Sequence, residues 1–379
     1  MVEKSKKPLI ILAAGGTGGH VFPAESLATE LMERGFKLAL ITDSRGEKIK
    51  GRLAKLNTYR IRAGGIAGKR LVWRIISVLE ICIGIFQACL LLRRLKPAVV
   101  VGFGGYSSVP TVLAASYSGF KTIIHEQNSV LGRANNFLAR RVNKIALSFE
   151  NVKKIPKSLQ SNTIVTGMPV RQSVISRKNQ EFPTLNFKEE LNILVFGGSQ
   201  GAHIFGTVVP DALRLLNKDF RHRIKMTQQC RSEDIEYAMS AYQELGIKAE
   251  VSSFFDDIPD RISKAHLVIC RSGASTIAEL TVIGRPAIMV PYKYAADDHQ
   301  TQNAFVVDEA GGGWLIPENK FTAEILSERI LSLFSIPKII QNAGAASRKI
   351  GKPNAVRKLA DIIIDLIPNN LIKKLEINK

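Results

Sequence analysis

The sequence lacks the features that would place it among secreted or metal-binding proteins. Its 379 residues include only four cysteines, which are scattered and form no CxxC pair. This excludes a disulfide framework and the common zinc and redox motifs, so a reducing compartment is expected. Glycine (29 residues) and proline (15) show no collagen-like or low-complexity excess, and charged residues make up 23% of the chain. The composition is typical of a folded protein, and the length predicts two domains.

Acidic residues are scarce in the first half of the chain only. Positions 1–180 hold 29 basic and 9 acidic residues, whereas positions 181–379 hold 24 of each, so the net charge of +20 lies entirely in the first half. We interpret this half as a surface for an anionic partner: nucleic acid, an anionic membrane or a phosphorylated substrate. The alternative is a general basic bias, which would not confine the excess to one half.

Long uncharged apolar runs are also scarce. The run at positions 9–14 follows three lysines, as in a secretory signal. It is shorter than the 7–15 residues of a signal core, and it lies between Pro8 and a Gly-Gly pair, so we predict a buried strand instead. The longest apolar segment, 71–92, is interrupted by Arg74 and Glu80. Its uncharged part falls short of the roughly 20 residues that a membrane span needs.

Basic residues flank this segment at positions 69–70 and 93–96. An apolar helix inside a basic collar is typical of a helix lying in a membrane interface, and we predict that Trp73, Ile75 and Leu79 face the lipid. A buried helix of an α/β domain and a true membrane span are the alternatives.

Short apolar strands alternate with helical segments in both halves of the chain. The first half has predicted strands at 9–14, 38–42, 98–101 and 122–125, and the pattern restarts with strands at 191–196, 267–270 and 287–290 and a helix at 274–283. Polar segments at 150–163 and 176–190 suggest a linker region. The pattern predicts two similar α/β units, each with a parallel sheet wrapped by helices.

Four glycine-rich loops follow predicted strands, at 15–19, 102–105, 197–201 and 271–275. A strand that runs through such a loop into a helix directs free N–H groups and the positive end of the helix dipole at one spot, which favours phosphate binding. None of the loops has the GxGxxG or GxxxxGK[ST] spacing of dinucleotide or P-loop sites. Two such units suit a ligand with two phosphates, or two phosphorylated ligands.

Several polar residues lie near these loops. His20 follows the first loop at a predicted helix start, where it is either a helix cap or a base near bound phosphate. Positions 125–128 (HEQN) end a strand, where open sheets bind ligands. Glu279 lies within a predicted helix, where a solvated face is the default. Positions 297–300 (DDHQ) could be metal ligands, but no DxD pair lies near a glycine loop, so we expect a metal-independent site.

At these loops the sequence resembles the MurG family of peripheral membrane N-acetylglucosaminyltransferases of bacterial peptidoglycan synthesis. The matching motifs occur in the family's order and cover nearly the whole chain: GGTGGHVFPA (15–24), GFGGYSS (102–108), HEQN (125–128), GMPVR (167–171), FGGSQGA (196–202), RSGASTIAEL (271–280) and DHQTQNA (298–304). Each motif alone is weak, but seven together are specific.

The resemblance implies a GT-B fold, in which two Rossmann-like domains have parallel sheets facing a central cleft. It implies inverting transfer of GlcNAc from UDP-GlcNAc to the MurNAc C4 hydroxyl of undecaprenyl-diphospho-MurNAc-pentapeptide (lipid I), giving lipid II, without a cofactor or metal. The expected location is the cytoplasmic face of the bacterial inner membrane, bound peripherally to its anionic surface. A cell-wall synthesis complex is a further partner that family membership would allow, and nucleic acid is not an expected partner.

The resemblance also implies domain roles and boundaries. Residues 1–166 with 355–379 would form the acceptor- and membrane-binding domain, and 167–354 the UDP-GlcNAc-binding domain. On the donor side, Asn128 and Gln300 would bind GlcNAc hydroxyls and Glu279 the ribose. The remaining expected donor contacts are Arg171 and Ser199 at the diphosphate, Ala274 and Ser275 in the fourth glycine loop, and the backbone near Phe255 at the uracil.

On the acceptor side, Thr17, Gly18 and Gly19 would line the cleft at the donor sugar and the acceptor diphosphate. Gly104, Gly105 and Tyr106 would form the second acceptor loop. The reaction needs a base with a pKa near the working pH, and His20 is the candidate, with an acceptor-binding role as its alternative.

Three other functions remain as alternatives. A diacylglycerol-type lipid glycosyltransferase would share the fold but not the HEQN and DHQTQNA motifs. A dinucleotide-dependent oxidoreductase would require the GxGxxG spacing that the first loop lacks. A nucleic-acid-binding protein would use the basic half, but the aromatic content is 7% and no recognition motif is present.

Overall fold

The structure is a computed structural model that describes residues 8–15, 18–44, 51–65, 71–186, 189–198 and 201–368, without the side chains of 71–75. The chain divides into two compact units, Met1–Arg171 with Asn354–Lys379 and Gln172–Pro353. Each unit is an α/β domain with its own parallel sheet, as the alternation of strands and helices predicts.

The first unit is built on a seven-stranded sheet with the order β3-β2-β1-β4-β5-β6-β7. Its strands are β1 (Leu9–Ala13), β2 (Lys37–Thr42), β3 (Asn57–Arg60), β4 (Val99–Gly102), β5 (Lys121–Glu126), β6 (Lys144–Leu147) and β7 (Thr163–Val165). All pairings are parallel. The central strands are apolar throughout because helices cover both faces of the sheet. The order reverses beside β1, which is where open parallel sheets bind ligands.

The helices of this unit are α1 (Gly18–Glu33), α2 (Leu71–Leu95), α3 (Gly105–Tyr117), α4 (Arg133–Leu138) and the last helix of the chain, α14 (Ala355–Asp365). Helix α1 begins five residues before Pro23, so that proline lies in its second turn. The first turn is formed by Gly18 and Gly19, which we predicted as loop.

The last helix completes the core of the first unit. Leu359, Ala360 and Ile363 of α14 belong to the same buried cluster as Leu27 and Leu31 of α1. A strong apolar stripe at 3.6-residue spacing allows a helix to pack on a neighbour in this way. The chain therefore returns to its first unit after completing the second.

The second unit contains a six-stranded parallel sheet with the order β10-β9-β8-β11-β12-β13. Its strands are β8 (Leu191–Phe196), β9 (Ile224–Gln229), β10 (Lys248–Ser252), β11 (Leu267–Cys270), β12 (Ala287–Met289) and β13 (Gly313–Leu315). Its helices are α5 (Gln172–Ile175), α6 (His203–Arg214), α7 (Lys218–Arg221), α8 (Ile235–Glu244), α9 (Ile258–Lys264), α10 (Ala274–Ile283), α11 (His299–Glu309), α12 (Ala323–Ser335) and α13 (Pro337–Ile350). This is the strand order of a dinucleotide-binding sheet.

Two arginines anchor the start of the second unit. The guanidinium of Arg285 is fully buried and donates to the carbonyls of Glu181 and Ser263. Arg348 donates to the carbonyls of Lys178 and Gln180. Hydrogen bonds from a charged guanidinium to backbone carbonyls are strong, so these contacts hold segment 178–181 on the second unit.

Helix α2 has two apolar faces. Its inner face buries Ala88 and Leu92 in a core cluster with β1, β2 and β4, and its Gly84 contacts the backbone of Arg62. The opposite face is a stripe of exposed apolar side chains with helical spacing: Ile76, Leu79, Ile83, Phe86 and Leu90. We call this set the α2 stripe.

Within the described chain, one helix, Ile76–Leu95, meets the length and composition expected of a membrane-crossing helix, with a mean hydropathy of 1.9. Only 22% of its apolar window is buried against the protein. Length and composition alone do not separate a crossing helix from one that lies on a domain, and the inner face of α2 is docked on its sheet.

Candidate active site

His20 lies against the glycine turn that begins α3. A methyl group placed on Gly105 would lie 3.5 Å from His20 Cε1, and one placed on Gly104 would lie 3.5 Å from His20 Cδ2. Both glycines have positive φ, +78° at Gly104 and +69° at Gly105, which side chains rarely adopt. The turn therefore requires glycine for its conformation, and the first turn of α1 brings its histidine to the carboxyl end of β4.

Two buried hydroxyls converge beside the same turn. A methyl group on Gly15 would lie 2.7 Å from Thr42 Oγ1 and 3.0 Å from Ser107 Oγ. Both hydroxyls are fully buried, and neither has a hydrogen-bond partner among the described residues. A buried hydroxyl without a partner is destabilising by about 1–3 kcal/mol. These two hydroxyls, at the N-terminus of α3, can therefore still form hydrogen bonds with a ligand.

Three of the four residues of HEQN hold their own loop in place. Glu126 accepts hydrogen bonds from the backbone N–H groups of Asn128 (3.0 Å) and Gly132 (2.9 Å) and from Asn135 Nδ2 (2.8 Å). Gln127 Nε2 donates to the carbonyl of Phe103 at 2.9 Å. Only Asn128 is partly exposed. The first three side chains are therefore used by the protein itself, because a buried loop must satisfy its own polar groups.

Burial shifts both titratable groups of this loop. The fully buried imidazole of His125 contacts the carbonyl of Gly167 at 3.2 Å. Burial lowers the pKa of His125 to about 4, although this carbonyl opposes the shift. Burial also raises the pKa of Glu126, against the effect of its N–H donors. The neutral form of a buried group is favoured in each case.

The other predicted residues of the first unit have varied surroundings. The guanidinium of Arg171 lies 5.2 Å from the ring centroid of Phe22, at the first turns of α1. Tyr106 is half-buried, and its ring lies beside Gly65. Thr17 lies outside the described residues, as do the side chains of Trp73 and Ile75, whereas Leu79 is on the α2 stripe and 57% exposed.

In the second unit, β11 runs directly into α10. Gly273 caps this helix with extended backbone, and no side chain caps the end. Ala274 is buried at the first position, and Ser275 Oγ is buried without a partner among the described residues. Glu279, in the second turn, is 7% exposed, so the solvated position that we gave as its default is wrong. Helix α10 is buried on most of its surface because α9, α11 and α13 pack around it.

The DHQTQNA segment is hydrogen-bonded to the turn between β11 and α10. Ser272 Oγ donates to the carbonyl of Gln300 at 2.8 Å, and Asn303 Nδ2 donates to the carbonyl of Ser272 at 3.1 Å. The side-chain oxygen of Gln300 accepts from the backbone N–H of Tyr292 at 3.0 Å. These contacts place Gln300 beside the start of α10, so Ala274, Ser275 and Gln300 form one site.

A third loop closes this edge of the sheet. Gln229 Nε2 donates to the carbonyls of Gly198 (3.0 Å) and Ser253 (3.2 Å), and its oxygen accepts from Gly197 N–H. The ring of Phe255 is buried, with the guanidinium of Arg261 3.9 Å from its centroid. The ring of Phe255 is therefore covered by the protein itself. Ser199 lies outside the described residues.

Two features of this edge were not predicted from the sequence. One is the aromatic loop after β12, where Tyr292 and Tyr294 are both exposed. The other is a contact of 2.6 Å between His203 Nδ1, at the start of α6, and the buried Asp234. The YKY pattern at 292–294 could have indicated the aromatic loop. His203 and Asp234 are distant in the sequence, and only the fold brings them together.

Among the described residues there is no group of three or more His, Cys, Asp or Glu side chains placed to hold a metal ion. Asp298 accepts from the hydroxyl of Thr301, and His299 contacts the carbonyl of Ala296. Asp298 and His299 thus bond within their own turn.

Two doubly wound parallel sheets with glycine turns and helix N-termini at their carboxyl edges are the architecture of the GT-B class of glycosyltransferases. The chain matches the model of the glycosyltransferase family 28 N-terminal domain at residues 10–147 and that of its C-terminal domain at residues 192–361.

Full-length relatives specify the family further. A protein of Paramagnetospirillum magneticum is 50% identical over 96% of this chain and 98% of its own, and one of Rhodospirillum rubrum is 51% identical over 93% of this chain and 91% of its own. Both are named UDP-N-acetylglucosamine–N-acetylmuramyl-(pentapeptide) pyrophosphoryl-undecaprenol N-acetylglucosamine transferase. The crystal structure of Acinetobacter baumannii MurG superposes with a TM-score of 0.77 at 29% identity, covering 94% of this chain and 99% of that one. The chain belongs to the MurG family.

Proposed function

We propose that this chain transfers GlcNAc from UDP-GlcNAc to the MurNAc C4 hydroxyl of lipid I, with inversion at the anomeric carbon, and so makes lipid II. The observation that carries the proposal is the full-length identity of about half to relatives named for this reaction. The two carboxyl-edge sites described above add support, since each offers polar groups of the type that a nucleotide sugar or a lipid diphosphate requires.

The donor binds to the second unit. The N-terminus of α10 receives the diphosphate, with Ala274 and the hydroxyl of Ser275, which has no partner among the described residues. The family motifs assign Ser199 and Arg171 to the diphosphate as well. The buried carboxylate of Glu279 accepts from the vicinal ribose hydroxyls, and the backbone at Phe255 contacts the uracil. Because the oxygen of Gln300 is occupied by Tyr292 N–H, its NH₂ group is the part that binds GlcNAc, together with Asn128.

The acceptor diphosphate binds to the first unit, where the N-termini of α1 and α3 converge at the switch point of the sheet. Gly18 and Gly19 border this spot from α1, and Gly104, Gly105 and Tyr106 border it from α3. The GGTGGH motif assigns Thr17, which lies outside the described residues, to the same ligand. The buried hydroxyls of Thr42 and Ser107 can donate to a bound anion, which would give them partners that they do not have among the described residues.

In the reaction, the acceptor hydroxyl attacks the anomeric carbon as UDP departs. His20 takes the hydroxyl proton. Its closeness to the Gly104–Gly105 turn supports this role, because that turn belongs to the proposed acceptor site. The negative charge that develops on UDP is stabilised by helix N-termini and by Arg171, so we expect no metal or cofactor to be needed.

The protein binds peripherally to the cytoplasmic face of the inner membrane through its first unit. The α2 stripe inserts into the lipid interface, and the exposed Arg93 and Arg94 flank the stripe at its end. The first unit has further exposed aromatic side chains: Tyr117 ends α3, and Phe137 of α4 has the guanidinium of Arg141 5.2 Å from its ring centroid. Aromatic rings beside basic groups suit the headgroup region.

The test is transfer of radiolabelled GlcNAc from UDP-GlcNAc to a short-chain lipid I analogue in the presence of EDTA. Formation of product in the presence of EDTA would establish the donor and the acceptor class. It would also show that the reaction needs no divalent metal. Bound UDP-GlcNAc without product would refute the acceptor assignment, and diacylglycerol would then be the next acceptor to test.

A further inference from the structure

The buried carboxamide of Asn135, on α4, has a nitrogen with two partners and an oxygen with none. Asn135 is 2% exposed. Its Nδ2 donates to Oε2 of Glu126 at 2.8 Å and to the carbonyl of His125 at 3.1 Å. Its Oδ1 is buried without a hydrogen-bond partner among the described residues. Because both partners of Nδ2 are acceptors, the NH₂ group must face them, and this fixes the orientation of the carboxamide.

The same carboxamide lies against the Gly104 turn. A methyl group placed on Gly104 would lie 3.3 Å from Asn135 Nδ2 and 3.5 Å from Asn135 Oδ1. It would also lie 3.5 Å from Cδ2 of His20, the ring carbon that is bonded to Nε2. The unpartnered oxygen and this edge of the imidazole therefore border one position, which only glycine leaves open. All three residues belong to the first unit.

The buried oxygen of Asn135 requires a donor. An amide oxygen can only accept, and a buried acceptor without a partner is rare in folded proteins. The imidazole of His20 can supply a donor, because a neutral ring has one N–H group and a protonated ring has two. Its Nδ1 lies at another edge of the ring, 3.6 Å from a methyl group placed on Gly105. A proton on Nε2 would therefore lie towards Asn135 and leave Nδ1 as the unprotonated nitrogen.

We propose that Asn135 is a positioning residue for His20, whose Nε2–H donates to Asn135 Oδ1 once the ring turns towards it, so that Nδ1 removes the proton of the acceptor hydroxyl. This role rests on the proposed function, in which His20 is the base. As the hydroxyl oxygen bonds to the anomeric carbon and UDP leaves, the hydroxyl proton passes to Nδ1 and the ring becomes positively charged. The hydrogen bond from Nε2–H then strengthens, because its donor is charged. A base that is oriented by a third group is a recurrent arrangement in enzymes.

The first experiment measures the kinetics of Asn135→Ala, of His20→Ala and of the double variant in the transfer assay. Asn135→Ala should lower kcat about ten- to a hundredfold, the effect of one hydrogen bond to a charged group, and leave both KM values within about threefold. In the His20→Ala background, the same substitution should change kcat by less than about twofold, because the partner is absent.

Asn143→Ala is the matched control. The side-chain oxygen of Asn143 accepts from the backbone N–H of Thr122 at 2.8 Å, at the opposite end of β5 from the site. This variant should lose stability in thermal unfolding without a change in kcat. It therefore separates the loss of a structural asparagine in the first unit from the loss of the positioning role.

The second experiment uses the wild-type protein and does not depend on the folding of Asn135→Ala. With ¹⁵N-labelled histidine, nuclear magnetic resonance reports which ring nitrogen of each neutral imidazole carries the proton. His20 should be in the Nε2–H form alone, whereas His222, which is exposed in the second unit, should show a mixture of both forms. A mixture at His20, or the Nδ1–H form, would overturn the proposal.

The kinetic outcomes are equally decisive. An equal loss of kcat from Asn135→Ala in both backgrounds would overturn the proposal, because Asn135 would then act independently of His20. A raised KM with an unchanged kcat would also overturn it. Absence of transfer by the wild-type enzyme would contradict the proposed function itself, whereas the protonated nitrogen of His20 is measured without turnover and tests the contact with Asn135 separately.

Discussion

The side-chain oxygen of Gln300 accepts a hydrogen bond from the backbone N–H of Tyr292 at 3.0 Å. This contact fixes the orientation of the carboxamide, because a backbone N–H requires an acceptor and the NH₂ group cannot serve as one. The amide therefore presents two donors to the site at the start of α10.

Replacement of Gln300 by Glu keeps the acceptor for Tyr292 N–H and removes the NH₂ donor. We expect the KM for UDP-GlcNAc to rise about three- to tenfold and the affinity for UDP to stay within twofold, because only the sugar loses a hydrogen bond. Steady-state kinetics and calorimetric titration with UDP measure the two quantities. A parallel loss of UDP affinity would show that Gln300 contacts the nucleotide and not the sugar.

His20→Ala tests the proposed base. If His20 removes the proton of the acceptor hydroxyl, kcat should fall by about 10²–10⁴ while the affinity for UDP-GlcNAc remains near wild type. His222→Ala, at an exposed histidine of the second unit, is the control. An unchanged kcat with a raised acceptor KM would instead make His20 an acceptor-binding residue.

The α2 stripe can be tested with Leu79→Gln combined with Phe86→Gln, at side chains that are 57% and 65% exposed. Loss of two apolar groups from the interface should weaken binding to anionic vesicles by at least about tenfold. Flotation assays measure the binding, and circular dichroism checks the fold. Leu215→Gln, at an exposed leucine of the second unit, should bind as wild type. Unfolding of the double variant would contradict the interfacial role and favour a structural one.

Burial of His125 predicts a pH-dependent stability of the first unit. Its pKa of about 4 lies below the ordinary value of 6.5, so between these values the unfolded chain binds a proton that the native one does not. The free energy of unfolding should therefore decrease as the pH falls from 6.5 to 4, by roughly 3 kcal/mol from this group.

Hydrogen exchange of β5 and β6 amides, measured across this pH range, reports on the first unit. His125→Gln can still donate to the carbonyl of Gly167 and should flatten the pH dependence. His266→Gln is the control, because burial also lowers the pKa of His266 but this residue lies in the second unit. A wild-type pH slope in His125→Gln would show that other groups govern the acid sensitivity of the first unit.

The elements that could be predicted from the sequence are those that are apolar throughout and bounded by glycine. Strands β8 and β11 and helix α10 have the bounds predicted, because buried parallel strands leave continuous apolar runs. Strands β3 and β10 were not predicted: Asn57–Arg60 and Lys248–Ser252 lie at the edges of their sheets and contain polar side chains. An edge strand has fewer neighbours to bury it, so its sequence resembles that of a loop.

By itself, the sequence determined the α/β class, the two units, the glycine turns and the family, because these follow from local apolar patterns and contiguous motifs. Only the tertiary structure decided which polar residues hold the protein together and which remain for a ligand. Glu126 is occupied by its own loop, whereas Ser107 and Ser275 have hydroxyls without partners among the described residues. The physical reason is that a hydrogen bond depends on the position of atoms distant in the chain, which no local pattern encodes.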